Sequence, residues 1–278
     1  MQLDRTQIPI RERGILEIMD LALRIVWSGA GKLLLMLCIG AVPLALLNWW
    51  LLSGILVYNK ATMSLYSFWM IVLIVVESAV ATAPLTIYLG DWVFGNQPTA
   101  GRVIGVWLKS LPQLLFIQVF LRGLLLPWVF TWLVIFASWP YASEIILLER
   151  TPFFDRGQHR IGTFSRMKAL HSGEFGSLMA RWLIATLFGV LLLISGWFSL
   201  DFVLSLFVGE EFWVPWKDTE NVKPAFCIYM LPIVMWVVIG YLAVVRFLSY
   251  LDLRIRREGW EVDLLIRAET ERMSRSLT

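Results

Sequence analysis

The sequence predicts an all-α fold, a polytopic integral membrane protein with about six transmembrane helices, and three observations carry that prediction. First, long stretches are almost free of charge. No charged side chain lies between Lys32 and Lys60, and only Glu77, Arg122 and Asp201 interrupt 61–90, 110–143, 182–208 and 224–245. About 20 apolar residues, rising ~1.5 Å each in a helix, match a hydrocarbon core roughly 30 Å thick. Second, 58% hydrophobic residues, 15 Trp and a mean hydropathy of +0.71 lie outside the usage of soluble domains. Third, the charges gather in the gaps between apolar runs, and their sign differs from gap to gap.

Taken in order, the predicted spans are 33–57, 66–89, 105–125, 127–148, 182–207 and 225–248. The apolar stretch from Leu111 to Leu148 exceeds one membrane crossing, and Gly123 with Pro127 supplies a turn. Three regions result: an N-terminal interfacial segment 1–31, a membrane domain 32–249 and a charged tail 250–278. The first 31 residues carry four basic and four acidic side chains and no early apolar core, so the first span reads as an uncleaved anchor.

Orientation follows from the gaps. Segment 149–181 holds Arg150, Arg156, Arg160, Arg166, Lys168 and Arg181 against three acids, and the end of the chain adds seven arginines from Arg246 to Arg275. Segment 209–224 is acidic, with Glu210, Glu211, Asp218 and Glu220. Cytoplasmic loops are enriched in Lys and Arg, which puts both termini and the 149–181 loop on the cytoplasmic side.

Amphipathic helices at the membrane surface are predicted in three places. Residues 12–27 place Ile15, Ile18, Met19, Ala22, Ile25 and Val26 on one side, with Asp20 and Arg24 as an i,i+4 pair on another. Residues 163–181 and 260–271 have the same character. Ten tryptophans, including Trp27, Trp49, Trp50, Trp92, Trp107 and Trp182, fall near span ends, where indole rings anchor at headgroup level. Gly29, Ala30 and Gly31 are small enough to admit a neighbouring helix. Cys38 and Cys227 read as ordinary thiols within spans.

Glu77 is the residue of greatest interest, because a carboxylate near the middle of a span is expensive and faces protein or water. Gln118 in the next span lies at comparable depth, and Arg122 one turn further out can stretch to it, which makes Glu77, Gln118 and Arg122 a candidate intramembrane polar cluster. Asp201 and Glu144 sit nearer span ends and read as hydrated. Pro43, Pro84 and Pro232 each interrupt a span, as kinks or as breaks lining a path. His159 and His171 lie twelve apart with no Cys nearby, so neither a metal site nor a catalytic constellation is predicted, and no cofactor. A net charge of +3 with no basic face outside the membrane argues against nucleic acid as a partner.

The stretch from Tyr250 to Leu265, Tyr-Leu-Asp-Leu-Arg-Ile-Arg-Arg-Glu-Gly-Trp-Glu-Val-Asp-Leu-Leu, is the most distinctive. Asp252 with Arg256, and Arg254 with Glu258, are i,i+4 partners. With Arg257 they form a candidate docking surface for anionic lipid headgroups or for a partner's acids. The stretch resembles the ending of uncharacterised bacterial inner-membrane proteins of the YciC-like and glycerophosphodiester-phosphodiesterase membrane-domain group. Glu144, Glu149 and the basic loop after them fit the same resemblance. It implies six spans, no catalytic domain and membership of an envelope assembly. The function expected is therefore a non-enzymatic membrane subunit or scaffold, with other integral membrane proteins and the lipid bilayer as partners. The alternative is a transporter or channel component built on Glu77.

Overall fold

A computed structural model describes residues 11–56, 62–117, 140–155, 161–208 and 224–258, and all regular structure among them is helical. In chain order these are α1 (Ile15–Ser28), α2 (Ala30–Leu56), α3 (Thr62–Ala81), α4 (Ala83–Val93) and α5 (Ala100–Leu114). A short α6 (Ala142–Glu144) continues as a π-helical turn, Ile145–Glu149. Then come α7 (Thr163–His171), α8 (Phe175–Val208) and α9 (Pro224–Glu258).

Four stretches among the described residues are long and apolar enough to cross a membrane: Ala30–Gly54, Leu65–Val93, Phe175–Leu200 and Met230–Glu258. They match the first, second, fifth and sixth predicted spans. Of the predicted third span α5 covers 105–114, of the fourth α6 and the π turn cover 142–148, and 118–139 lie outside the described residues. Gln118 and Arg122 are among those, as is the predicted surface segment 260–271.

The three predicted proline breaks behave differently. Pro43 and Pro232 stay inside continuous helices, whereas the segment carrying Pro84 divides into α3 and α4 at Thr82. Proline has no N–H to give the carbonyl four residues back, so a break there costs no further hydrogen bond. Close packing holds this joint. A Cβ placed on Gly40 of α2 would fall into the Ala81 carbonyl, so only glycine admits the joint against α2. Of the small residues singled out from the sequence, a Cβ on Gly31 would meet nothing within 4 Å, and one on Gly29 would meet the Ile25 carbonyl and the Leu33 side chain of the two helices it joins.

Helix α1 turns the predicted apolar face inward. Ile18, Met19, Ala22 and Ile25 are buried, and the Tyr241 hydroxyl of α9 donates to the Met19 carbonyl at 3.2 Å. Leu16, Leu23 and Trp27 remain exposed on its other side. The Asp20–Arg24 pair forms at 2.9 Å. Helix α8 is the most open of the four spanning stretches: only 6% of its window is buried, and it packs mainly on α9, with α1 also touching it.

Candidate functional site

At the end of the bundle where α1, α6, α7 and the last turns of α9 meet, three buried or half-buried carboxylates, with the half-buried Glu258 as a fourth, organise a frame of arginines. The first is Glu144. Read from the sequence as hydrated, it is instead fully buried, and Arg246 Nε donates to its Oε1 at 2.6 Å. Arg246 also reaches Thr82 Oγ1 at 3.3 Å, which ties α9 to the α3–α4 joint. Burial of a carboxylate is tolerable here because the guanidinium neutralises it and Ser143 Oγ donates to its second oxygen at 2.8 Å.

The second acid is Glu149. Arg166 of α7 grips it with two bonds, Nε to Oε2 at 2.6 Å and Nη2 to Oε1 at 3.0 Å. Tyr250 donates its hydroxyl to Oε1 at 2.6 Å, and Arg254 lies 3.7 Å away. A bidentate Arg–carboxylate pair is strong and directional. The bond to Glu149 raises the proton affinity of Arg166 above its ordinary value, against the opposing effect of burial. Glu258 completes this half, accepting from Arg254 at 2.7 Å and from Arg166.

The wide π turn explains how Glu144 and Glu149 work together. A turn closed by i→i+5 bonds brings residues five apart toward one side, where an α-helix would separate them by well over a quarter turn. Both acids then face the arginines of α9. Arg150, directly after, ends the turn in the left-handed region with φ 51°.

The third acid is Asp252, 3% exposed. Its Oδ1 accepts from the backbone N–H of Arg13 at 2.7 Å, and its Oδ2 from Arg256 Nε at 3.0 Å. Arg256 in turn donates to the Arg13 carbonyl at 2.9 Å, and Arg181 Nη1 of α8 stands 2.7 Å from Asp252 Oδ2. One carboxylate thereby joins the entry of α1, the start of α8 and the end of α9. Of the tail cluster singled out from the sequence, Asp252 points into protein and Arg254 and Glu258 are half-buried, while Arg256 and Arg257 are exposed. Both predicted i,i+4 pairs form. Arg257 donates to the Ser172 carbonyl and so caps the C-terminal end of α7.

His171 closes α7. Its Nδ1 is 2.7 Å from the Met167 carbonyl, and its ring stacks on Tyr141 at 5.7 Å between centroids and 16° between planes. Burial lowers the proton affinity of the imidazole below its ordinary 6.5.

Glu77 sits apart from this frame. Asn48 of α2 donates to its Oε2 at 2.9 Å, and both side chains are buried. Its partner among the described residues is therefore an amide from the first span. Sequence reasoning overlooked Asn48 because a single Asn in an apolar run carries no periodic signal. Of the two cysteines, Cys38 is a free thiol, and the Cys227 side chain lies outside the described residues.

Comparison with protein-family models, with curated proteins and with solved structures finds nothing that matches this chain.

Proposed function

We propose that this protein is a non-enzymatic integral membrane subunit that holds its shape while other membrane proteins pack beside it. The observation that carries this reading is three sets of ion pairs along α9: Glu144 with Arg246, Asp252 with Arg181 and Arg256, and Glu149 and Glu258 with Arg166 and Arg254. Half-buried ion pairs with shared partners resist separation, because parting them leaves charges uncompensated in a poor solvent. Elements tied in this way suit a rigid platform better than a rocking transporter. The open sides of α2 and α8 add lateral surface, with Trp50, Leu187, Leu191 and Phe198 exposed.

Under this reading the chain crosses a bacterial inner membrane six times, keeps both termini in the cytoplasm and presents Arg256 and Arg257 to headgroups or to a partner's acids. The resemblance of the Tyr250–Leu265 stretch to the YciC-like group supports it. The deciding experiment is purification of the tagged protein in mild detergent at native expression. Stoichiometric membrane proteins should accompany it; a clean monomer without companions counts against the proposal.

A transporter or channel component is the second reading, and the buried Asn48–Glu77 pair at span depth favours it. A cavity between α8 and α9 is lined by Val75 and Ser78 of the helix that carries Glu77 but not by Glu77 itself, which weighs toward a structural pair. Cysteine labelling at Ser78 and Ala81 separates the two readings. Reagent access from the aqueous phase supports a path, and full protection removes it.

A further inference from the structure

Helices α8 and α9 enclose a cavity of about 280 Å³ whose floor is formed by Val75 and Ser78 of α3. Its α8 wall presents Arg181, Trp182 and Ala185 from one helical face. Its α9 wall runs from Ile239 through Leu242 and Arg246 to Ser249, a length of about 15 Å at ~1.5 Å per residue. The helices are antiparallel here, with Gly189 against Leu242 and Gly196 against Val234. Arg181 and Ser249 therefore mark the end nearest the ion-pair frame, and Ile239 marks the other. The cavity is polar at one end and apolar along the rest.

Charge at the polar end is arranged for an anion. Arg181 and Arg246 line the wall and, among the described residues, no carboxylate does; Asp252 and Glu144 pair with the two guanidinium groups without joining that lining. Arg181 Nη1 is buried and, although 2.7 Å from Asp252, it makes no hydrogen bond among the described residues. Its charge is matched but its N–H directions are not. The volume lies below the roughly 300–1,000 Å³ of sites that enclose a drug-sized ligand, so it suits a phosphate at the polar end and part of one hydrocarbon chain, with the rest of the lipid in the bilayer.

We infer that this cavity binds one anionic phospholipid of the surrounding bilayer, with its phosphate on Arg181 and one acyl chain lying along Ala185, Leu242 and Ile239. The inference is independent of the subunit reading. It assigns α8, the most open of the spanning helices, a specific lipid on the side it turns to α9. Guanidinium groups suit this because they bond phosphate in two-pronged fashion and give up water more readily than an ammonium does.

The full chain in a neutral detergent, titrated with phosphatidylglycerol, phosphatidylcholine or inorganic phosphate, provides the test through unfolding temperature and native mass spectrometry. Phosphatidylglycerol should give a saturable rise in unfolding temperature and a retained one-to-one adduct, while the other two give neither. Ala185→Leu and Thr186→Trp narrow the cavity and leave the arginines in place, and each should abolish the rise, as should Arg181→Gln. If Arg181→Gln does not fold, the two narrowing variants decide. An equal rise with phosphatidylcholine, reproduction by inorganic phosphate alone, or a full rise in both narrowing variants overturns the assignment.

Discussion

Trp107 of α5 donates its indole N–H to the Val80 carbonyl at 3.2 Å, and Val80 is the residue whose helical donor Pro84 removes. Read from the sequence, Trp107 is an interface anchor. In the folded chain it satisfies a carbonyl orphaned by proline, which accounts for a break at Pro84 beside an intact helix at Pro43. Trp107→Phe leaves that carbonyl without a donor and should cost about 1–3 kcal/mol. Pro84→Ala restores a backbone N–H to the same carbonyl, so the tryptophan change should cost much less in that background. Thermal unfolding of the four proteins of the cycle in detergent measures the coupling. Equal costs in both backgrounds would remove the explanation.

Gly40 admits the α3–α4 joint against α2. Gly40→Ala drives a methyl group into the Ala81 carbonyl, and overpacking of this kind costs about 1–3 kcal/mol. Gly31→Ala meets nothing within 4 Å and should be close to neutral. Expression yield and unfolding temperature of the two variants, made side by side, check the contrast.

Glu144 and Arg246 should be dispensable together and not singly. Glu144→Gln leaves the half-buried Arg246 without its counter-charge, and removing one member of a buried pair costs about 3–5 kcal/mol, with the lower end expected since the Arg246 side chain is 23% exposed. The double replacement Glu144→Leu with Arg246→Met removes both charges and should recover most of that loss. A double variant no better than the single one would show that the pair is needed for more than neutrality.

His171 supplies a pH dependence with a definite sign. Burial lowers its proton affinity most, Arg257 acts the same way, and the Met167 carbonyl and Glu144 oppose them. The unfolded chain therefore takes up this proton at a higher pH than the folded one. The stability it contributes is full above about 6.5 and falls as the pH drops toward the lower folded value. His171→Phe keeps a flat ring against Tyr141 without a proton to accept. It should flatten the decline in unfolding temperature between about pH 7 and pH 5. An unchanged decline would assign it to other groups.

Much of the candidate frame was legible as composition but not as pairing. The i,i+4 pairs Asp20–Arg24, Asp252–Arg256 and Arg254–Glu258 could be read from spacing, because helical geometry places such residues together whatever the rest of the chain does. Glu144 and Arg246 are 102 positions apart, and Asp252 and Arg13 are 239 apart. No local rule joins residues at those separations. The π turn hid the relation further, since Glu144 and Glu149 share a side only when the helix widens between them.

Hydrophobic run length by itself places the four apolar helices seen among the described residues, because a continuous apolar run can enter hydrocarbon as a helix that satisfies its own backbone. Which helix each one touches is a matter of register and close approach. Gly40 against Ala81, Asn48 against Glu77, and Trp107 on the carbonyl freed by Pro84 all depend on helices separated in sequence stacking at one height. That stacking exists only once the chain has folded, and it makes structural anchors of residues that look incidental in isolation.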